Sequence, residues 1–252
     1  MISIVIPSCN NEKWIGKCLD SILNQTYKDY EIIVVDDMSG DNSVEVIKSK
    51  LRPQDTLIVN ESKRYNGGTR NVGILRAKGD YILCIDCDDW LIDNNVLMDI
   101  SRKLNGEDIL FLGYITHRDT GDIAVNLKYR DYEDALRNIT VAIWTKVVKA
   151  ELLKNTLFPE GTLFEDRIQH YKLMLKKPTF NYLGREVIVW NRTNQNTISG
   201  NMTDEWNTYR FNYCGDLFRL IKTLPDSPFK DFIKRELNGY MTQIREMVDK
   251  LW

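Results

Sequence analysis

Tyr81-Ile82-Leu83-Cys84-Ile85-Asp86-Cys87-Asp88-Asp89 passes in one step from an unbroken apolar run to three carboxylates. The run is short and lacks polar alternation, so it reads as a strand buried on both faces. Three carboxylates in four positions repel one another, which is costly unless a cation or hydrogen-bond donors compensate. Oxygen-only ligands at a strand end suit a hard divalent ion held partly by substrate phosphates, Mg2+ or Mn2+. An ordinary acidic turn, with Asp88 or Asp89 capping a helix, fits the same residues taken alone. Cys84 and Cys87 form a Cys-x-x-Cys. No second pair or nearby histidine completes a zinc site, so they read as a buried thiol and a loop spacer, with a thioredoxin-like pair as the other reading.

Working outward, the same strand-then-loop pattern repeats. Ile2–Ile6 is a short β-branched strand stopped by Pro7, and Trp14, Ile15, Cys18, Leu19, Ile22 and Leu23 then recur at helical spacing. Glu31–Val35 is a second strand, ended by Asp36-Asp37-Met38-Ser39-Gly40-Asp41. Ser43–Lys50 is helical, and Thr56–Val59 is a third strand. Gly67-Gly68 then breaks the chain, and Thr69 caps a helix closed by Gly79. Ile109–Leu112 is a fifth strand. Strands joined by helices predict an α/β fold with a mostly parallel sheet flanked by helices. Such sheets bind ligands at the carboxyl ends of their strands. Three acidic or glycine-bearing loops fall there: after the second strand, before the third helix and after the fourth strand.

The second half is less regular. Asp131–Asn138 and Asp166–Leu175 read as helices, Val141–Val148 as strand or helix, and Val187–Trp190 as a strand. Met202–Leu224 and Phe229–Trp252 read as two helices parted by Pro225 and Pro228. A subdomain boundary is expected near residues 113–130, where polar residues gather.

Composition narrows the class. The 252 residues carry 34 Lys and Arg against 36 Asp and Glu, a formal net charge of −2. That balance gives no electrostatic footprint for nucleic acid. No apolar run approaches a membrane span, and no signal peptide opens the chain. Five scattered cysteines argue for reduced thiols and hence a soluble, cytoplasmic protein.

Other constellations carry chemistry less strongly. Asp36-Asp37 can accept hydrogen bonds from ribose hydroxyls or a base N–H, or it is a solvated turn. Pro7–Asn11 has no Gly-x-Gly-x-x-Gly and no Walker pattern, which disfavours a Rossmann dehydrogenase or P-loop enzyme. Arg70, after Asn66 and two glycines, can pair with phosphate or a base carbonyl, or it is a surface arginine. Glu165-Asp166 precedes a helix and can supply a general base, an N-cap or both. Trp190-Asn191-Arg192 and Asn196 through Ser199 offer a guanidinium and hydroxyls for a diphosphate, or form a polar surface loop. His117 and His170 lack a Ser or Cys partner, so no hydrolase triad is supported, and His170 is expected to face outward or pack on its own helix.

Taken together, these segments resemble the family 2 glycosyltransferases, which have the GT-A fold. The likeness runs from Ile2–Asn10 through Ser21–Tyr27, Glu31–Ser43, Arg70–Ile74, Ala77–Ile82 and the Asp-x-Asp of Asp86-Cys87-Asp88. It continues to Glu165-Asp166 and Trp190–Ser199. Cys9 stands where the family usually has Tyr. The motifs cover residues 1–200 in order. The resemblance implies an inverting, metal-dependent transferase moving one sugar from a UDP-sugar to an acceptor hydroxyl on a cell-surface glycan or glycopolymer. Carried over, Pro7, Asp36 and Asp37 would meet the uridine, and Asn66 and Arg70 the base and phosphates. Asp86 would bind ribose, with Asp88 and Asp89 the Mn2+ or Mg2+. Asp166 would be the base, and Arg192 and Ser199 would close over the diphosphate. A nucleotidyltransferase or a silent nucleotide-sugar-binding protein are the rival readings. The implied organisation is a GT-A unit with a nucleotide-sugar half (1–115) and an acceptor half (116–202), followed by a helical tail (203–252). The apolar face of that tail, from Phe229 through Leu251, would pack on the GT-A unit, form a homodimer or touch the inner membrane surface.

Overall fold

The structure, a computed structural model, describes residues 1–129, 134–135, 141–162, 164–194 and 206–249, the side chains of 206–211 and 246–249 excepted. Its strands are β1 (Ile2–Ser8), β2 (Tyr30–Asp36), β3 (Thr56–Val59), β4 (Tyr81–Cys84), β5 (Trp90–Leu91), β6 (Ile109–His117), β7 (Ile123–Val125), β8 (Lys146–Lys149) and β9 (Phe180–Asn191). Its α-helices are α1 (Ile15–Leu23), α2 (Ser43–Lys50), α3 (Tyr65–Arg76), α4 (Val96–Lys103), α5 (Ala150–Lys154), α6 (Glu165–Met174), α7 (Trp206–Thr223) and α8 (Pro228–Asp249).

One sheet runs in the order β3-β2-β1-β4-β8-β6-β9-β5, with β7 paired to β6. The expected parallel arrangement holds for β3, β2, β1 and β4. Beyond β4 the sheet is mixed, because β8 enters antiparallel to both β4 and β6, while β6 and β9 are parallel. Two antiparallel steps restore direction, so β6 and β9 end at the same edge as β1 and β4.

The strand faces explain the three layers. Ile4, Ile6, Ile32 and Val34 join α1 and Ile47 of α2 in one core, while Val5, Ile33 and Val35 join Ile74 of α3 in the other. Adjacent residues of a strand point to opposite faces. A run without polar alternation therefore fills both cores at once. The second core continues into Ile168 and Leu173 of α6, Tyr213 and Leu217 of α7, and Phe229 and Ile233 of α8. The apolar face of the tail is thus used to pack on the sheet domain, with Ile244 also buried and Met241 exposed. Val248 and Leu251 lie outside the described side chains. Among the described residues no helix is long and apolar enough to cross a membrane.

Several expectations change. Gly67 and Gly68 do not break the chain but lie inside α3, which begins at Tyr65, so Thr69 is not its cap. A Cβ at position 67 would come 2.6 Å from the Pro159 carbonyl oxygen. Close approach, and not a turn, is what requires glycine there. Val141–Val148 resolves into a 3-10 turn (Ile143–Thr145) and β8. β9 is much longer than Val187–Trp190, and the added residues pair with β6 across register shifts at Gly113. β6 and β7 form a hairpin over much of the segment where polar residues gather. His170 does not face outward, and its ring meets that of Tyr171 on its own helix, with centroids 6.2 Å apart. It is fully buried, with Nε2 3.0 Å from the carbonyl oxygen of Ala135.

Gly73 sets how closely α3 rides on β1, since a Cβ there would lie 2.5 Å from Cγ1 of Val5. Gly73→Ala is expected to lower stability by about 1–3 kcal/mol, as overpacking does. Urea unfolding reads this directly. A neutral or stabilising result, as helix propensity alone dictates, would place α3 farther from the sheet.

Candidate functional site

The carboxyl edge of the sheet gathers the loops that follow β1, β2, β4 and β9. Asp36, at the end of β2, accepts hydrogen bonds from the Ser39 N–H (2.9 Å) and the Ser39 hydroxyl. Asp37 is buried and accepts from Asn60 Nδ2 (2.8 Å) and from the backbone N–H groups of Arg64 (2.9 Å) and Tyr65 (2.9 Å). Its carboxylate thereby meets the N-terminal end of α3, where negative charge is favoured. Lys63 Nζ donates to the Asp37 carbonyl (2.9 Å) and lies 2.8 Å from Cys9 Sγ. Pro7 is buried in β1 opposite Val35, and Asn66 is half-buried in the first turn of α3.

Arg70 is the centre of the site. It projects from α3 and is 2% exposed. Nη2 donates to Asp86 Oδ1 at 2.7 Å, and Nη1 donates to Glu165 Oε1 at 3.0 Å and Asp166 Oδ1 at 3.4 Å. The surface-arginine alternative is therefore wrong: this guanidinium is buried among three carboxylates. Asn71 fixes the partner loop beside it. Its Nδ2 donates to the Phe158 carbonyl (3.0 Å), and its Oδ1 accepts the Phe158 N–H (2.9 Å).

Asp166 opens α6. Burial pushes its carboxyl up to about 7, against the opposing pull of Arg70 and with a further push from the charges of Glu165 and Asp86. Lys146 was missed by the sequence reading. It begins β8, is fully buried, and donates to the carbonyls of Val141 (3.1 Å) and Ala142 (2.9 Å) and to Thr145 Oγ1 (3.2 Å). Burial brings its ammonium down to about 7, opposed by the charge of Asp166. The available signal was a lysine inside the apolar run Ile143–Val148.

The acidic loop after β4 is tied to the end of β9. Asp89 Oδ1 accepts the Asn191 N–H (2.8 Å), and Asp88 Oδ2 accepts from Asn194 Nδ2 (2.7 Å). Asn194 was also missed, because an asparagine in a polar stretch carries no pattern. Burial pushes both carboxyls up, Asp89 the further, and neighbouring acids add to it. Oδ2 of Asp89 is buried without a hydrogen-bond partner among the described residues. An all-carboxylate pair with an unmatched oxygen suits a hard cation. Among the described residues no three His, Cys, Asp or Glu side chains gather to hold a metal by themselves. Asp88 and Asp89 would need oxygens from a ligand to complete a shell.

Arg192 is exposed, stacked with Cζ 4.7 Å from the centre of the Trp190 ring, and its N–H donates to the His117 carbonyl (2.9 Å). The structure brings its segment to the acidic loop without placing the guanidinium on Asp88. Ser199 lies outside the described residues. Cys84 and Cys87 are free and buried, and burial holds the Cys84 thiol up at about 12, as expected of an inert neighbour of the acidic loop.

The sequence profile of the family described as glycosyl transferase family 2 matches residues 3–178. Glycosyltransferase GlyA of Streptococcus pneumoniae is 27% identical over 81% of this chain, which spans 32% of that protein. Poly(ribitol-phosphate) beta-glucosyltransferase of Bacillus spizizenii is 45% identical over 36% of this chain, which spans 15% of it. The chain is thus similar to about a third of the first and a smaller part of the second. The crystal structure of S. aureus TarS 1-349 in complex with UDP-GlcNAc is 21% identical, with a TM-score of 0.74 over 95% of this chain and 72% of that one. That likeness establishes the GT-A fold.

Replacing the central guanidinium by an apolar chain of similar length leaves three carboxylates facing one another. Arg70→Met is expected to cost about 3–5 kcal/mol of stability, as removing one partner of a buried ion pair does. Urea denaturation measures it, and a loss under about 1 kcal/mol would mean that the carboxylates do not depend on Arg70.

Proposed function

This chain belongs to glycosyl transferase family 2, and from that premise we propose that it transfers a single sugar from a UDP-sugar to an acceptor hydroxyl with inversion at the anomeric carbon. The observation that carries the reading is the triple contact of Arg70 with Asp86, Glu165 and Asp166. It sets the candidate nucleotide-binding loop and the candidate base side by side, one guanidinium apart. The names of two relatives, both poly(ribitol-phosphate) glycosyltransferases, support a cell-surface glycopolymer as acceptor. The TarS complex with UDP-GlcNAc supports UDP as the carrier.

In this mechanism Asp37 and Pro7 line the uracil end, with Asp36 beside them, and Asn66 helps grip the base. Asp86 receives the ribose. Asp166 accepts the proton of the acceptor hydroxyl as that oxygen attacks the anomeric carbon in line, and the bond to the diphosphate oxygen breaks. One base serves one displacement, so the configuration inverts. Arg192, released from Trp190, and Ser199 would meet the negative charge that develops on the departing UDP. Asp88 and Asp89 would hold Mg2+ or Mn2+, which when bound neutralises diphosphate charge. Arg70 keeps Asp166 oriented while opposing its protonation.

Four outcomes follow from these roles. A UDP-sugar panel with Mn2+ should give UDP release with at least one donor, and Asp166→Asn should keep UDP affinity while losing turnover by a factor of about 10²–10⁴; equal turnover would remove Asp166 from the base role. A base must be deprotonated to act, so kcat/KM should rise with pH through about 7, and a rate flat from pH 5 to 9 would contradict it. Asp88→Ala should weaken UDP binding in the presence of Mn2+ and abolish its dependence on the ion; an unchanged calorimetric affinity would exclude Asp88 as a ligand.

A further inference from the structure

We propose that the C-terminal hairpin α7–α8 is part of the catalytic scaffold, and that Glu236 is the positioning residue through which it fixes the first turn of α6. The inference rests on Asp166 as the base. The hairpin grips the chain on both sides of Glu165-Asp166. On one side, Phe164 adopts a left-handed backbone, φ +57°, which an aromatic residue takes only when its surroundings impose it. Its ring packs edge-on against Tyr213 of α7, with centroids 5.4 Å apart, and at a tilt against Tyr240 of α8, at 5.7 Å.

On the other side, one carboxylate collects three donors. Glu236 of α8 accepts from Arg167 Nη1 (3.2 Å), the Tyr171 hydroxyl (2.7 Å) and the Tyr213 hydroxyl (2.5 Å). Its side chain is 10% exposed. Arg167 and Tyr171 stand one turn apart on α6, so the carboxylate spans the first two turns of the helix. Phe229 and Ile233 would suffice if the hairpin only covered the core. A nearly buried carboxylate with three converging donors is costly unless every contact is kept, and in return it fixes orientation. Toward the sheet, Glu165 and Asp166 are held by Arg70. Glu236 holds the same turn from the opposite side, so the direction of Asp166 is set from two ends.

The full-length chain tests this with Glu236→Ala and Glu236→Gln, reading UDP release from the donor that wild type turns over, UDP affinity by calorimetry, and folding by circular dichroism. The alanine variant should lose at least tenfold in kcat with UDP affinity within twofold. Glutamine, which still accepts the tyrosine hydroxyls, should lose less. A kcat within twofold of wild type in both folded variants, or an equal loss of UDP affinity, overturns the proposal. If Glu236→Ala does not fold, Phe164→Gly replaces it, since glycine accepts the left-handed backbone while deleting the ring; a several-fold loss of kcat supports the proposal and an unchanged kcat overturns it. Should wild type turn over no UDP-sugar, the proposed function fails separately. Hydrogen exchange then decides the scaffold: amides 165–168 should exchange at least tenfold faster in Glu236→Gln with β1 unchanged, and equal rates overturn it.

Discussion

A buried guanidinium must find counter-charge, and Arg70 finds three carboxylates from two distant parts of the chain. Removing an ion from water costs several kcal/mol, so such a group stays buried only while its partners stay in place. Asp86 and Asp166 are 80 positions apart in sequence, yet both are held within hydrogen-bond reach of one side chain. One positive charge against three negative ones leaves the pocket short of cation. Burial first, and then the charges of Glu165 and Asp86, push the carboxyl of Asp166 up toward neutrality against the pull of Arg70 and Lys146. The same shortage suits a site that receives a cation together with a diphosphate.

Everything that places Arg70 follows from close approach. Gly67 lets α3 come against the Pro159 carbonyl, and Gly73 lets it lie on Val5. Asn71 then bridges to Phe158 with both ends of its amide. Asp37 secures the start of the same helix through two backbone N–H groups. The segment Tyr65–Arg76 is therefore a spacer of fixed position between the loop after β2 and the segment that leads to α6. The C-terminal hairpin completes the frame from behind through Glu236 and the ring of Phe164.

Much of this was legible in the residues. The apolar strands β1, β2 and β4 announced themselves because a strand buried on both faces needs no polar positions. The acidic loops showed themselves by charge density at strand ends. The late strands were harder to read. β9 carries Asn181, Arg185 and Glu186 along an edge region of the sheet, so its first half has no strand-like pattern. The glycines of α3 misled because glycine signals both a turn and a close contact, and only the neighbour decides which. Lys146 was marked only by standing inside an apolar run, and Asn194 by nothing local.

The sequence by itself determined the α/β class, the parallel first half of the sheet, and the edge at which the chemistry gathers, because hydrophobic period and charge at strand ends are local properties. It also supplied the family likeness, since ordered motifs survive as strings. Tertiary structure alone decided that Arg70 is buried and triply paired, that Glu236 reaches α6, and that the tail packs on the sheet domain. Each of these rests on contacts between residues from 16 to 96 positions apart, and the free energy of burying a charge belongs to the partners that meet it in space.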